Sequence, residues 1–265
     1  MKIETMELWN TVPMPCEETP KITAYFPNNK NSEAAILFFA GGCYWSRSTR
    51  EGDLYAKYFA EKGFTCFVVH YRVYPHKFPA PLLDARRAVQ FVRYHAERFG
   101  VNKEKIAVFG ASAGGHLAAL LSTYYEDLKI AQKDEIDALD YLPNAQILAY
   151  PVIKLLGRKV SHLASGINLL GDKLVWQGEE LSPDLIATAR SPKAFIFHAA
   201  TDSAVPVVNS LDYAKRLNEV GVNVELHIFH RGEHGDGICG KDDEDNRYVA
   251  RWADLCLSWL TSIGF

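Results

Sequence analysis

The chain has 265 residues, of which 48% are hydrophobic and 23% are charged, so it can bury a core and is neither disordered nor a repetitive fibrous protein. A formal net charge of −3, with no run of Lys and Arg longer than a pair, gives no indication of a nucleic-acid partner. No apolar stretch approaches the roughly 20 residues that a membrane-spanning helix needs, so no membrane partner is expected either.

Short apolar runs alternate with longer amphipathic stretches, and the runs are continuous, as is typical of strands buried on both faces of a sheet. Strands are predicted at 36–40, 65–70, 106–109, 146–150, 194–198 and 224–229. Helices are predicted at 52–61, 81–99, 113–126, 210–220 and 247–260. The alternation predicts a single α/β domain over residues 1–265 with a mostly parallel sheet. The irregular stretch 151–192 predicts a cap-like insertion near one end of that sheet.

The most specific motif is Gly110-Ala111-Ser112-Ala113-Gly114, between a predicted strand and a predicted helix. A serine on such a tight turn has a strained backbone, and the residues two positions away must be glycine to avoid steric collision. The turn lifts the hydroxyl above the sheet edge and directs the first N–H groups of the helix toward the group under attack. We therefore predict that Ser112 is a nucleophile rather than a serine of an ordinary glycine-rich turn.

A serine hydroxyl is a weak nucleophile at pH 7, so this hypothesis requires a base. His234 follows the last predicted strand, in the glycine-flanked loop at 231–237. A parallel sheet presents a base at its carboxyl edge from such a loop. We predict His234 as the base, with His230 as a distant second choice. His198 and His227 lie inside apolar strands and are predicted to be satisfied core residues.

The base needs a carboxylate that orients its ring, and Asp202 lies directly after the predicted strand at 194–198. There it can accept the Nδ1–H bond of the histidine, fix the tautomer and stabilise the imidazolium. Asp172 and Asp184 are the alternatives. Both lie in the irregular stretch, where we expect solvation at the surface to be their role.

A reaction that develops negative charge on an oxygen also needs backbone donors opposite the nucleophile. The strand at 36–40 ends in the turn Gly41-Gly42-Cys43-Tyr44, at the position of an oxyanion loop. We predict that the N–H groups of Gly42, Cys43 and Ala113 donate to this oxygen. The alternative is that the glycines serve only the packing of the strand end.

These motifs resemble the α/β-hydrolase superfamily, in particular its small bacterial acetyl-esterase branch of acetyl-xylan-esterase-like and sugar-hydrolase-like proteins. The similarity extends from about Ala34 to Phe265 and includes the order Ser112, Asp202, His234 along the chain. The matching segments lie at 40–44, 71–75, 78–82, 110–117, 200–206 and 232–235. The resemblance implies an α/β-hydrolase fold with helices on both faces of the sheet, and hydrolysis of small esters without a cofactor.

The sequence departs from the family pattern at two places. Ala40 replaces the His or Pro that usually begins the oxyanion loop, and Cys43 replaces its last glycine. A backbone donor survives a change of side chain, but Cys43 adds bulk that could narrow the acyl pocket. After His234 comes Gly235-Asp236, where relatives commonly carry a bulky apolar residue. Neither departure removes a catalytic group.

Aromatic residues near the proposed site indicate a surface for the apolar faces of a sugar ring. Tyr44 and Trp45 follow the oxyanion loop, and Trp176 lies in the insertion. Alternatively, Trp45 and Trp176 are core anchors of their loops, because large aromatic side chains are usually buried. The sequence therefore predicts a serine-dependent carboxylesterase for short-chain acyl esters, with acetylated sugars as candidate small-molecule substrates.

Two other functions are compatible with this pattern. A serine peptidase of the prolyl-oligopeptidase type, or a related acyl-amide hydrolase, uses the same sheet and the same order of residues. A catalytically silent binding protein on this scaffold is the third hypothesis, although the complete set of three residues argues against it. His227, His230 and His234 are not expected to bind a metal, since residues 227 and 230 point to opposite faces of a strand. No metal or cofactor is expected.

The N-terminus and the cysteines favour a cytoplasmic location. The first nine residues include Glu4 and Glu7, where a secretory signal would need an apolar core. Five cysteines, at positions 16, 43, 66, 239 and 256, are an odd count without metal-like spacing, which favours reduced thiols. The sequence leaves the oligomeric state open, a homodimer included.

Overall fold

The computed structural model describes residues 1–14, 16–17, 19–129, 134–157, 160–238 and 242–265. Eight strands within these ranges form one sheet. They are β1 (Lys2–Glu7), β2 (Lys21–Phe26), β3 (Ala35–Phe39), β4 (Thr65–His70), β5 (Ile106–Ala111), β6 (Ala145–Ala149), β7 (Lys193–Ala199) and β8 (Val224–Phe229). Their order across the sheet is β1-β2-β4-β3-β5-β6-β7-β8. Strands β3 to β8 are parallel, whereas β2 is antiparallel to both β1 and β4.

The six strands predicted from the sequence are confirmed as β3 to β8, with bounds that agree within two residues. Strands β3, β5 and β6 are wholly buried, as their continuous apolar runs indicate. Strand β8 is instead partly exposed along most of its length, because it is the edge of the sheet. Strands β1 and β2 were not predicted from the sequence, and they form an antiparallel extension beyond β4.

Helices cover both faces of this sheet. The helices are α1 (Tyr55–Glu61), α2 (Ala80–Tyr94), α3 (Ala96–Phe99), α4 (Ala113–Leu121), α5 (Leu163–Leu170), α6 (Leu174–Gln177), α7 (Pro183–Ile186), α8 (Val208–Glu219), α9 (Glu244–Val249) and α10 (Trp252–Ser262). A π-helical turn, Arg50–Leu54, precedes α1, and a 3₁₀ turn, Gly171–Lys173, joins α5 to α6. In the part of the chain that the structure describes, no helix is both long enough and apolar enough to span a membrane.

The core has two parts, one on each face of the sheet. Leu117 of α4 and Leu217 of α8 belong to the first part, while Tyr55 of α1 and Trp252 of α10 belong to the second. The Trp252 ring stacks on Phe197 of β7 with ring centroids 4.3 Å apart. Each fully buried side chain of this size contributes roughly 1.5–3 kcal/mol. The central strands are therefore held from both sides, and their carboxyl ends are fixed relative to one another.

The helices predicted at 52–61 and 210–220 are confirmed, the first as the π-helical turn followed by α1 and the second as α8 with bounds that agree within two residues. The other three predicted helices have different bounds in the structure. The helix predicted at 113–126 ends at Leu121, where the hydroxyls of Ser122 and Thr123 bond the carbonyl groups four residues earlier. Such bonds compete with the helical backbone pattern. The helices predicted at 81–99 and 247–260 are each divided in two, as α2 and α3 and as α9 and α10. Helix α9 begins earlier than predicted because the carboxylate of Asp243 accepts the Asn246 N–H and caps it.

The stretch 151–192 connects β6 to β7 and contains α5, α6 and α7. Its first residues are fastened to α8 by the buried side chain of Asn209. Asn209 Oδ1 accepts the N–H groups of Ile153 and Lys154 at 3.0 and 2.9 Å, and Asn209 Nδ2 donates to the Val160 carbonyl at 2.9 Å. The insertion thus starts at the carboxyl edge of the sheet. That it caps a site there, and that the whole chain is one domain, stay predictions.

Candidate active site

Ser112 lies at the tip of the turn between β5 and α4. Its backbone has φ 53° and ψ −119°, a strained conformation that costs of order 1–3 kcal/mol. The neighbouring glycines have no room for a side chain. A Cβ on Gly110 would lie 2.2 Å from the Gly114 carbonyl oxygen, and a Cβ on Gly114 would lie 2.0 Å from the Phe39 carbonyl oxygen. The turn therefore has the strained and closely packed geometry that the motif predicts.

Asp202 and His234 approach Ser112 from the loops after β7 and β8, because the carboxyl ends of parallel strands meet at one edge of the sheet. His234 Nε2 lies 2.9 Å from Ser112 Oγ, and His234 Nδ1 lies 2.7 Å from Asp202 Oδ2. With a neutral imidazole, the serine hydroxyl donates to Nε2 and the Nδ1–H group donates to the carboxylate. The structure thus brings together the three side chains selected from the sequence.

Asp202 is buried and accepts several hydrogen bonds. Its Oδ1 accepts the N–H groups of Ala204 and Val205, both at 2.9 Å. Its Oδ2 faces two histidines, since His198 Nε2 lies 3.2 Å away in addition to His234 Nδ1. Burial alone would raise the pKa of Asp202, but the hydrogen bonds from His198 and His234 hold that pKa well below its usual range. Asp202 is therefore ionised and can stabilise positive charge on His234.

His198 contacts the site, although it was predicted to be only a residue of the core. It is fully buried, as predicted, with Nδ1 2.8 Å from Ser210 Oγ and Nε2 2.9 Å from the Val205 carbonyl. The Nε2–H group is thus shared between this carbonyl and Asp202 Oδ2. The spacing of four residues between His198 and Asp202, across a strand end, is the signal that could have identified it.

The other candidate bases lie away from Ser112. His227 was expected in the core, but it is partly exposed on the edge strand β8 and lies 2.8 Å from Glu225 Oε1. His230 Nδ1 contacts the Tyr248 hydroxyl at 3.0 Å. His227, His230 and His234 therefore have three different partners.

The two alternative acids also have other surroundings. Asp184 was expected to be solvated, but it is buried and forms an ion pair with Lys154 within the insertion. Asp172 is exposed in the 3₁₀ turn, as expected. Neither carboxylate is a hydrogen-bond partner of His234.

The turn after β3 lies against Ser112. Gly42, Cys43 and Tyr44 all have positive φ values, of 129°, 58° and 59°, and such values are uncommon for residues other than glycine. A Cβ on Gly41 would lie 2.9 Å from the Cβ of Ser112, so the loop backbone touches the serine. The loop is thus held in a strained shape beside the proposed nucleophile.

The donors predicted for an oxyanion are available in this arrangement. Among the described residues, the N–H groups of Gly42, Cys43 and Ala113 donate to no other group. The carbonyl of Cys43 accepts a hydrogen bond from Asn168 Nδ2 of α5 at 2.9 Å. The insertion therefore bonds directly to the loop, and this contact was not predicted.

Tyr44 does not line a substrate surface. Its ring is fully buried, and its hydroxyl lies 2.8 Å from His116 Nδ1. His116 Nε2 in turn donates to the Leu181 carbonyl of the insertion at 2.8 Å. Burial lowers the pKa of His116 to about 4, so this ring is neutral and accepts the tyrosine hydroxyl bond. The structure contradicts the expected substrate contact of Tyr44, because the ring has no exposed surface.

Trp45 and Trp176, by contrast, are exposed. Their exposed fractions are 59% and 73%, so neither is a core anchor of its loop. The Trp45 ring stacks on Tyr74, with centroids 4.7 Å apart and planes inclined by 19°. Two exposed aromatic side chains on neighbouring loops thus form a stacked pair at the surface.

The cysteines of the described residues are free thiols. Cys66 and Cys256 are buried, and Cys43 is partly buried beside the proposed oxyanion position. Burial raises the pKa of the Cys43 thiol, and the negative charge of Glu51 raises it further. Cys43 is therefore a neutral side chain at neutral pH. Cys239 lies outside the described residues.

Family models and curated proteins match much of the chain. The BD-FAE model matches residues 22–217, and the Prolyl oligopeptidase family model matches residues 178–262. Endo-1,4-beta-xylanase B of Butyrivibrio fibrisolvens is 33% identical over 82% of this chain and 34% of its own length. Acetylxylan esterase of Xylanibacter ruminicola is 30% identical over 82% of this chain and 44% of its own length. The chain thus spans less than half the length of these two relatives.

Solved structures match over nearly the whole chain. The acetyl ester-xyloside bifunctional hydrolase of Caldicellulosiruptor lactoaceticus has a TM-score of 0.89 at 35% identity, over 99% of this chain and 97% of that one. A thermophilic esterase of Thermogutta terrifontis with propionate bound has a TM-score of 0.81 at 28% identity, over 99% and 94%. The α/β-hydrolase fold expected from the sequence is confirmed. The chain accordingly belongs to the BD-FAE family of α/β-hydrolases.

Proposed function

We propose that this protein is a serine-dependent carboxylesterase that removes short acyl groups from carbohydrates. The observation that carries the proposal is the unbroken line of hydrogen bonds from Asp202 through His234 to Ser112. It ends on a strained turn, where the hydroxyl is held at the carboxyl edge of the sheet. Two curated relatives and the hydrolase of Caldicellulosiruptor lactoaceticus have names that refer to xylan or to acetyl esters, and these names support the substrate class.

The proposed reaction has two halves. Ser112 Oγ attacks the acyl carbonyl carbon while His234 Nε2 takes the hydroxyl proton and Asp202 stabilises the imidazolium. When the tetrahedral intermediate collapses, the bond to the alcohol oxygen breaks and His234 returns the proton to that oxygen, which leaves the acyl group on Ser112. A water molecule then attacks this ester while His234 again takes the proton. The bond between the acyl carbon and Ser112 Oγ breaks, His234 returns the proton to Ser112 Oγ, and the free acid leaves. Every proton transfer uses His234, so no metal or cofactor is required.

The oxyanion of both intermediates would bind the N–H groups of Gly42, Cys43 and Ala113. These groups need no rearrangement, because they have no other acceptor in the described part of the chain. Removing one such donor typically costs about 3 kcal/mol of barrier. The strained backbone of the loop is consistent with this role, since strain of this kind is characteristic of functional sites.

Cys43 is the residue that we propose limits the acyl chain. Its side chain stands where the family pattern has a glycine, and it is partly buried beside the oxyanion position. Because the thiol is neutral, its effect is steric. We expect acetate and propionate to fit and chains of six or more carbons to be excluded.

The sugar would pack on the exposed aromatic surface. Trp45 and Tyr74 form a stacked pair on loops that follow β3 and β4, and those strands end at the same edge of the sheet as Ser112. Trp176 offers a second exposed ring on the insertion. Open aromatic faces of this kind suit the C–H faces of a pyranose.

A peptidase or acyl-amide hydrolase is the second candidate. It is favoured by the match of residues 178–262 to the Prolyl oligopeptidase family model, because this segment contains both Asp202 and His234. The same three side chains could attack an amide. Equal kcat/KM values on an aryl acetate and on the matching acetyl arylamide would favour this candidate, whereas an ester preference of more than a hundredfold would reject it.

The deciding experiment is a panel of aryl esters from acetate to octanoate, measured beside acetylated xylo-oligosaccharides. We expect kcat/KM to be highest for acetate and to fall steeply by hexanoate. A fluorophosphonate should label the wild type but not Ser112→Ala, which excludes a contaminating esterase. Trp45→Ala and Trp176→Ala should raise KM for the sugar esters and leave that for aryl acetate unchanged. A preference for octanoate would refute the short pocket, and unchanged sugar-ester kinetics in both variants would refute the aromatic surface.

A further inference from the structure

A carboxylate that was not predicted from the sequence lies directly behind the candidate site. Glu51 belongs to the π-helical turn before α1, and turns of this kind are frequent at functional sites. A Cβ on Gly41 would lie 2.5 Å from Glu51 Oε2 and 2.9 Å from the Cβ of Ser112. The oxyanion loop is therefore packed between this carboxylate and the proposed nucleophile.

Tyr150 connects Glu51 to His234. The Tyr150 hydroxyl donates to Glu51 Oε1 at 3.0 Å, and the Tyr150 ring meets the His234 ring edge-on with centroids 4.8 Å apart. The residue follows β6 directly and has a φ of 36°, a strained value for a tyrosine. Its hydroxyl also lies 3.1 Å from the Tyr55 hydroxyl, which fixes it from the other side. The fold thus holds the Tyr150 ring against the imidazole of His234, and the carboxylate of Glu51 against the Tyr150 hydroxyl.

We propose that Glu51 and Tyr150 are positioning residues for His234: the ionised carboxylate stabilises the imidazolium that forms during each acyl transfer, and the tyrosine ring holds the imidazole in line with Ser112. This inference rests on the proposed function, since it assigns the pair to the same reaction. Asp202 binds the Nδ1 side of His234, whereas Glu51 and Tyr150 act from another side of the ring.

The protonation of Glu51 depends on its surroundings. Burial raises the pKa of Glu51, while the Tyr150 hydroxyl, the charge of His234, the Gly41 N–H group and the charge of Arg50 each lower it. The attraction between Glu51 and His234 is mutual. A protonated His234 favours the ionised form of Glu51, and the ionised form of Glu51 equally favours the protonated form of His234.

Other charged groups share the cavity of about 300 Å³ beside His234 and Glu51. Among the described residues, the titratable and charged groups around Glu51 are His234, Glu233, Asp236, Asp243, Asp245, Arg50, Tyr150, Tyr55, Cys43 and Tyr71. Those around His234 also include Asp202 and His162.

The other carboxylates of this cavity have roles of their own. Asp243 caps α9, and Asp245 pairs with Arg231. Asp236 Oδ2 accepts the Glu233 N–H at 2.7 Å, and Glu233 Oε2 accepts the Ser203 hydroxyl at 3.4 Å. Glu51 differs from them because it contacts Tyr150 and the oxyanion loop rather than the loop and helix at the cavity rim. It is therefore the carboxylate that we expect to act on His234.

The test is the pH dependence of kcat/KM for aryl acetate in Glu51→Gln, which keeps the shape and an acceptor for the Tyr150 hydroxyl but removes the charge. Activity falls at low pH because a protonated His234 cannot accept the serine proton. Without the carboxylate the imidazolium is less stable, so the acidic limb of the profile should move to lower pH, by about one unit. In the pH-independent region kcat should fall about tenfold, with KM changed less than about twofold, because the interaction exists mainly in the transition state.

Three further variants sharpen this test. Tyr150→Phe keeps the ring but removes the donor to Glu51, so the carboxylate is protonated more easily and the limb should move in the same direction by a smaller amount. Tyr213→Phe is the matched control, because it removes another buried tyrosine hydroxyl, one that bonds Gln146 Oε1 at 3.0 Å in the other part of the core. Asp245→Asn is the control for a carboxylate at the cavity rim. Both controls should leave the limb in place.

The inference is overturned if the limb of folded Glu51→Gln stays within about 0.2 unit of the wild type, or if Asp245→Asn moves it as far. The titration of the His234 ring protons by NMR provides a second readout that needs no turnover, and its midpoint should move in the same direction as the limb. If the wild type hydrolyses no ester and Ser112 is not labelled by a fluorophosphonate, the proposed function fails, while the NMR titration still decides whether Glu51 acts on His234. Should Glu51→Gln not fold, Tyr150→Phe decides by the same two measurements.

Discussion

His198→Phe is the substitution that best tests how Asp202 is held. It keeps an aromatic ring in a fully buried position but removes both nitrogens. Asp202 Oδ2 would lose one of its two histidine partners, and Ser210 Oγ and the Val205 carbonyl would lose theirs. A hydrogen bond to a charged group contributes about 1.5–3 kcal/mol, and an unsatisfied buried hydroxyl costs about 1–3 kcal/mol. We expect the free energy of unfolding at pH 7 to fall by about 3–5 kcal/mol.

Urea unfolding followed by circular dichroism measures this loss, and Ser210→Ala supplies the control. The double variant His198→Phe/Ser210→Ala should recover about 1–2 kcal/mol relative to His198→Phe, because no hydroxyl is then left without a partner. The kcat/KM of folded His198→Phe should fall about tenfold, since Asp202 is less well oriented toward His234. A stability loss below about 1 kcal/mol, together with unchanged kcat/KM, would refute the inference that His198 holds the acid.

The remaining predictions concern the three central side chains and acid stability. Ser112→Ala and His234→Ala should each reduce kcat by about 10⁶, and the double variant should be scarcely worse, because the residues act as a unit; retention of a tenth of the activity would reject the assignment. Asp202→Asn should reduce kcat by about 10⁴ through the wrong histidine tautomer, whereas Asp184→Asn, which removes an ion pair of the insertion, should leave kcat nearly unchanged. The hydrogen bonds from Arg87 lower the pKa of Asp134 to about 2, and the hydrogen bonds from His198 and His234 lower the pKa of Asp202. The two ionised carboxylates therefore stabilise the folded protein above about pH 4, and this stabilisation is lost as the pH falls toward about 2. Thermal melts at pH 5, 4 and 3 should show a falling Tm, and a constant Tm would contradict this.

The three residues of the hydrogen-bonded line could be selected from the sequence because each leaves a local pattern. Ser112 lies in a glycine motif, Asp202 directly follows an apolar run, and His234 lies in a glycine-flanked loop after another run. In a parallel sheet these three positions must meet at one edge. Local sequence patterns and one rule of sheet topology were therefore sufficient to select these three residues.

The supporting residues could not be selected in this way. Glu51 lies in a polar stretch that gives no indication of burial, and its contacts with Tyr150 and Gly41 join segments far apart in the chain. Tyr44 was assigned to the surface because it follows the oxyanion loop, but the positive φ values of Cys43 and Tyr44 turn its ring into the core. The placement of Tyr44 depends on the backbone conformation of Cys43 and Tyr44, and the residue types Cys and Tyr do not indicate a positive φ value.

The insertion is bonded to the oxyanion loop directly and also through His116 of α4, and this has a consequence for access to the site. Asn168 bonds the Cys43 carbonyl, and the Leu181 carbonyl bonds His116, which holds the Tyr44 hydroxyl. Lifting α5 away from the sheet would break the first bond and disturb the backbone that carries the Cys43 N–H group. Each hydrogen bond contributes about 1 kcal/mol, so molecules with α5 lifted from the sheet would be a minor population. In those molecules the Cys43 N–H group would no longer be held in place to bind the oxyanion. We therefore expect the insertion to stay in place during turnover. Substrates would then enter between the loops and bind a site whose shape is already formed before they arrive.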